Sequence, residues 1–147
     1  MKSQKIEFKH YKETGISVCK IKDKDLTFVG KAKCHPDDED MKSEKVGCEI
    51  AYSRAVIEAL KHKRDCVIKP SLRALRQLYF SMKNSKKFNP KAYETKMMWR
   101  QIQNWQFDLT TINEMLATER KNLHKYIAEK EKFYESIRKN RNKAKNN

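Results

Sequence analysis

The chain has 147 residues, with 34 Lys or Arg against 19 Asp or Glu and a formal charge of +15. This length suits one domain, or a small domain with a helical extension, and excludes a large two-domain enzyme. Apolar residues make up 38% and charged residues 36%, and nothing approaches the roughly 18 uninterrupted apolar residues of a membrane span. No apolar run near Met1 reads as a signal peptide. A soluble, cytoplasmic protein without a membrane partner is expected, with Cys19, Cys34, Cys48 and Cys66 as reduced thiols.

Leu26, Phe28, Gly30, Ala32 and Cys34 alternate with Thr27, Val29, Lys31 and Lys33, the period of a half-buried strand. Ile16–Ile21 precedes them across the polar turn Lys22–Asp25, which predicts an antiparallel hairpin, and Ile6–Phe8 suggests a third, shorter strand. His35–Asp40 reads as an acidic loop leading into a helix, where acids favour the positive end of the helix dipole. Val46, Ile50, Ile57 and Leu60 then share one helical face, beside a ridge of small residues at Gly47, Ala51, Ala55 and Ala59. Such a ridge lets a helix lie close on its neighbour, here the hairpin.

Pro70 opens the next predicted helix, with Leu72, Leu75, Leu78, Tyr79 and Met82 as its apolar stripe. Asn89-Pro90 is a second start signal. From Lys91 onward there is neither Gly nor Pro, and positions 98, 102, 105, 109, 112, 116, 119, 123, 126, 130, 133 and 137 alternate spacings of four and three. All but Glu119 and Lys130 are apolar, which predicts a heptad seam. A helix over 90–140 would be about 75 Å long, too long for a small head to cover. The expectation is a helical hairpin broken near 107–110, where Thr111–Glu114 fits a capping box. The alternative is an unbroken helix pairing as a homodimer through the 98–137 seam. The predicted fold is α+β: an antiparallel hairpin or small sheet with a packed helix over 1–65, then an all-helical region over 66–147.

The charge is uneven. Residues 1–50 carry a net +1, residues 51–90 a net +8 and residues 91–147 a net +6. Lys69, Arg73, Arg76, Lys83 and Lys87 recur at three- and four-residue spacing, with Phe80 in the same row and the apolar stripe on another face. A helix with such a row tracks phosphates, and Phe80 is placed to stack on a base or pack on a protein. The tail contributes Arg138, Lys139 and Arg141 within a run of five basic residues and no acid; it is expected to be frayed and to add non-specific affinity. The aromatics Phe80, Trp99 and Trp105 are further interface candidates, since aromatics with Arg dominate binding hot spots, although Trp105 sits in the seam.

His35–Glu39 resembles the A-H-P-D-D-E motif of zinc-dependent N-acetylglucosaminyl deacetylases, which implies His35 and Asp38 as zinc ligands and Asp37 as base. That family needs a parallel sheet and a distant histidine pair, whereas the chain here continues as helix with only His62 and His124 downstream. A catalytic zinc takes three protein ligands. The cysteines form no C-x-x-C pair, and no phosphate loop or nucleophile elbow occurs. No enzyme activity, metal or cofactor is expected.

Phe28–Glu39, followed by Gly47, Ala51, Arg54 and Ala55, is similar to a module in small accessory proteins of phages and prophages of Gram-positive bacteria. They share a hairpin ending in Gly-x-Ala-x-Cys-x-Pro-x-Asp and a helix with Gly-x-x-x-Ala-x-x-Arg-Ala. The strand–strand–helix order is also similar to that of double-stranded-RNA-binding domains, whose Lys-Lys-x-Ala-Lys helix start is absent here. The phage resemblance implies an accessory protein that binds nucleic acid, or a nucleic-acid-loaded host complex. The expectation is an inhibitor of a host immune nuclease, of CRISPR or restriction type, in the host cytoplasm. A plain DNA- or RNA-binding protein and a structural coiled coil are the alternatives.

Overall fold

The computed structural model describes residues 3–33 and 44–147. The acidic stretch 37–40, Cys34 and the His35–Glu39 motif lie outside the described residues.

Three strands, β1 (Lys5–Tyr11), β2 (Ile16–Asp23) and β3 (Leu26–Lys33), form an antiparallel sheet in the order β1-β2-β3. The third strand expected at Ile6–Phe8 is therefore present and longer, running Lys5–Tyr11. Gly15, at φ 67°, closes the first turn, with its N–H donating to the Tyr11 carbonyl at 2.8 Å. Its left-handed backbone is one that glycine adopts without penalty. The second turn spans only Lys24 and Asp25 between the paired Asp23 and Leu26, and holds Lys24 at φ 55°. Strand alternation puts Ser17, Cys19, Ile21, Gly30 and Ala32 on one buried face.

That face is covered by α1 (Glu44–His62), and the small-residue ridge makes the contact. Ala51 and Ala55 are fully buried against Cys19 and Ala32, with Ile21 completing the cluster. At Gly30 the fit is so close that a Cβ would fall on the Ala51 carbonyl oxygen and 2.5 Å from the Ala55 amide nitrogen. Gly47 lies likewise over Ser17, whose buried hydroxyl is hydrogen-bonded to His10 Nδ1 at 2.8 Å. Arg54 secures the helix by donating to the Lys31 carbonyl at 2.6 Å.

The helix does not stop before Pro70. A π-helical segment, Lys63–Ile68, joins α1 directly to α2 (Lys69–Lys83), with the Lys69 N–H donating five residues back to Arg64. Proline has no N–H to give and crowds the carbonyl four residues before it. The wider π turn accommodates both conditions without breaking the helix. Ile68 and Leu72 are buried, and Leu75, Tyr79 and Met82 half-buried, but Leu78, expected in the apolar stripe, is 51% exposed. At 100° per residue Leu78 lies well off the line of Leu72 and Tyr79.

Helix α3 runs Tyr93–Lys145. Asn89 does not cap it: its Oδ1 accepts from the Lys91 N–H at 3.0 Å in a separate turn, and the helix starts later. The break expected near 107–110 is not made. The helix runs unbroken through the Thr111–Glu114 capping box, and the neighbouring Thr110 hydrogen-bonds back to the Gln106 carbonyl at 3.1 Å, satisfying its hydroxyl inside the helix. The basic tail, expected to be frayed, is helical to Lys145. Of the seam positions, Ile102, Ile112 and Leu116 are buried within the single chain, whereas Phe133 is exposed.

By packing, the chain falls into two compact units: Met1–Ala59 with Thr118–Asn147, and Leu60–Ala117. In the first, the ridge of α1 faces the sheet while Glu49, on its opposite side, accepts a hydrogen bond from Tyr126 of α3. Burial and that bond raise the Tyr126 pKa. The second unit contains α2 and the first part of α3.

Gly30→Ala is expected to destabilise the fold by about 3 kcal/mol, the upper range for overpacking, because both obstructing atoms are backbone. Gly47→Ala meets only the Ser17 side chain and is expected to cost less. Urea denaturation of the two variants checks the ranking.

Candidate nucleic-acid interface

The cationic row lies along α2. One residue every 100° puts Lys69, Arg73, Arg76, Phe80 and Lys83 within an arc of about 80°, roughly a quarter-turn from the Leu72/Leu75/Tyr79 face. All five are exposed, as is Lys87 in the segment after the helix. Burying the apolar face therefore turns the charged face to solvent.

The row is not uniform. Lys69 Nζ lies 3.3 Å from Asp65 Oδ1, and Arg64 Nε donates to the same carboxylate at 2.8 Å. Hydrogen bonds from Arg64 first, then Lys69, hold the Asp65 pKa down at about 2 against its ordinary 3.8. Lys69 thus shares the single negative charge of Asp65 with Arg64, and it is the one cation of the row paired with a carboxylate among the described residues. Arg76 donates from Nη2 to the amide oxygen of Gln106, which orients its guanidinium without cancelling its charge. Arg73, Lys83 and Lys87 have no carboxylate within ion-pair distance among the described residues.

Beside the row lies an aromatic cluster. Tyr79 packs on Trp99 of α3 with ring centroids 5.2 Å apart, and edge-on against Phe80 and Phe88 at 6.3 and 6.1 Å. Tyr79 is half-buried and anchors the cluster, while Phe80 and Trp99 remain 58% and 47% exposed. Together with Arg76, Ile102, Gln103 and Gln106 these residues line an open groove of about 370 Å³. A planar guanidinium, two exposed ring faces and two side-chain amides within one groove suit a flat heterocycle carrying hydrogen-bonding edges beside a phosphate chain.

Trp99 belongs to this groove because it follows seam position 98 and so flanks the seam, whereas Trp105, at a seam position, is half-buried. Gln103 and Gln106 carried no sequence signal, since isolated glutamines on a helix have no distinguishing pattern. Arg138, Lys139 and Arg141 are exposed, but they belong to the other compact unit, and Arg138 and Arg141 are engaged within the chain. Among the described residues no group of three or more His, Cys, Asp or Glu is placed to hold a metal ion, and no helix is long and apolar enough to cross a membrane. Cys19, Cys48 and Cys66 are free thiols, and burial pushes the Cys19 pKa up.

No protein-family model matches this chain, and no curated protein or solved structure is significantly similar to it.

A carboxyl whose folded pKa is depressed stabilises the fold above its unfolded value and loses that contribution as pH falls through the folded one. The Asp65 contribution should therefore be complete above about 4 and vanish towards pH 2. NMR titration of the Asp65 carboxyl should give a midpoint near 2, moving up in Lys69→Ala and further in Arg64→Ala. A midpoint at the ordinary value in the parent chain would show that Lys69 is free to act in binding.

Proposed function

We propose that this protein is a non-enzymatic nucleic-acid-binding accessory protein, working through the exposed Arg73, Arg76, Lys83 and Lys87 and the adjoining groove of Phe80 and Trp99. What carries the reading is that Arg76 and two half-exposed rings line one groove, on a helix row that also bears Arg73 and Lys83, cations with no carboxylate at ion-pair distance among the described residues. Cations supply sequence-independent attraction to phosphates, and ring faces accept any base, so the combination favours unstacked or single-stranded nucleic acid. The resemblance to phage and prophage modules adds a host-cell, cytoplasmic setting.

The makeup of the groove favours a second, narrower reading. Tyr79, Phe80 and Trp99 with an oriented Arg76 have the composition of a protein-binding hot spot. A nucleic-acid-loaded host nuclease would engage both the cations and the rings, and binding there would compete for the surface that the nuclease offers to its substrate. Inhibition of an immune nuclease is the form this takes. The two readings part on bare nucleic acid, which the first requires to bind.

Fluorescence anisotropy with a labelled 20-nucleotide DNA tests the first. Arg73→Glu with Lys83→Glu is expected to weaken binding at least about tenfold near 0.1 M salt and to flatten the log–log salt slope by about 1.4, near 0.7 per lost contact on a single strand. Phe80→Ala, at an exposed ring, should cost about 1–3 kcal/mol with the salt slope unchanged, the signature of lost stacking. Unchanged affinity in both variants, with the fold retained by circular dichroism, overturns the nucleic-acid reading.

A further inference from the structure

The pairing register exposes a second cationic surface that the segmental charge count hides. Residues directly opposite one another in an antiparallel sheet share a face. The face away from α1 is therefore built from the rows Lys5–Lys22–Thr27, Glu7–Lys20–Val29, Lys9–Val18–Lys31 and Tyr11–Ile16–Lys33. It holds six lysines, all exposed, against one acid. Glu7 is already taken, by Lys5 and Lys22 at 3.0 Å each, which lowers its pKa. Lys9 lies 5.0 Å from the Tyr11 ring. Lys20, Lys31 and Lys33 have no carboxylate within ion-pair distance among the described residues.

We infer that this open sheet face is a second, sequence-independent binding surface for the phosphate backbone of nucleic acid, lying in the other compact unit from the α2 groove. Charge complementarity identifies the occupant. Lysines two apart on a strand stand about 6.6 Å from each other, and adjacent strands about 4.8 Å, close to the interval between successive phosphates. Protection of sheet edges from aggregation accounts for lysines on the outer strands β1 and β3 but not for Lys20 and Lys22, which lie on β2, the central strand. Solvation alone is met as well by Thr or Ser, whereas crowding six like charges on one face costs free energy that the Glu7 ion pairs and the Lys9–Tyr11 contact offset for only three of them. An anionic membrane is the weaker fit: interfacial binding uses protruding Trp, Phe or Leu, while the apolar residues here are Ile16, Val18 and Val29, lying among the longer lysines. With Tyr11 as its one aromatic ring, the face would contact backbone rather than bases.

The ligand class rests on the nucleic-acid reading of the α2 groove, so the test separates the two. Lys9→Glu, Lys20→Glu and Lys31→Glu are combined in one full-length variant, Arg73→Glu and Lys83→Glu in another, and all five in a third. Each is titrated against a labelled 20-nucleotide DNA, the matching 20-base-pair duplex, and vesicles containing phosphatidylserine. The sheet variant is expected to lose at least about tenfold in affinity for the DNA probes, with its salt slope on the single strand reduced by about 2, from three contacts of 0.7 each. The five-fold variant should lose more than either parent. Loss in the sheet variant alone would uphold the sheet face and remove the α2 groove; loss in the α2 variant alone would do the reverse. A sheet variant that keeps its DNA affinity, or that loses only vesicle binding, overturns the inference. The same three positions as Gln, with an unchanged melting curve, exclude unfolding as the cause.

Discussion

The first compact unit depends on how near α1 comes to the sheet. Gly30 has no Cβ, and Ala51 and Ala55 have nothing beyond theirs, so helix backbone rests almost directly on strand backbone. In a chain with so few large apolar residues, close approach stands in for bulk. Dispersion attraction falls steeply with a gap of even an ångström, so two backbones in van der Waals contact recover what large side chains would otherwise supply. The same closeness fixes the register of α1 on the sheet: Gly47 must lie over Ser17 while Ala51 and Ala55 straddle Gly30. With one face of the sheet committed in this way, the other is left open, and strand alternation delivers the lysines to it.

The second unit solves a different problem, keeping a strongly charged helix folded. Along the π-helical segment and α2 the apolar face buries Ile68 and Leu72 and half-buries Tyr79, a quarter-turn away from the cations. Asp65 pairs with both Arg64 and Lys69 at the start of that row, and Gln106 orients Arg76 from α3. Tyr79 links burial to exposure. Half-buried itself, it holds Trp99 and meets Phe80 edge-on, so the exposed rings keep a defined orientation instead of collapsing onto apolar surface.

Much of this was legible in advance, for reasons that differ from element to element. Period-two alternation located β3, because strand side chains alternate faces whatever surrounds them. The small-residue ridge of α1 and the row of cations on α2 were visible because helical spacing alone aligns them. Pro70 does stand in the first turn of α2, as its sequence position suggests, but nothing local indicates that a π turn will join that helix to α1 without a break. The break expected at 107–110 is absent for a related reason: Thr111–Glu114 has the residues of a capping box, but helix continues through it and Thr110 finds a partner within the helix. The lysines of the sheet stayed hidden because the turn acids Glu13 and Asp25, the strand-end Asp23 and the acids at 37–40 cancel them in any count along the chain. Turn and strand residues adjacent in sequence point in different directions in space.

The amino-acid sequence by itself determined the element types, the face that each buries and the excess of positive charge, because these follow from local periodicity and composition. Only the tertiary structure decided that Gln106 holds Arg76, that Trp99 joins Phe80 beside one groove, and that six lysines from three strands gather on one face. Each of those depends on residues far apart in the chain, and a contact between them exists only once packing has chosen a register.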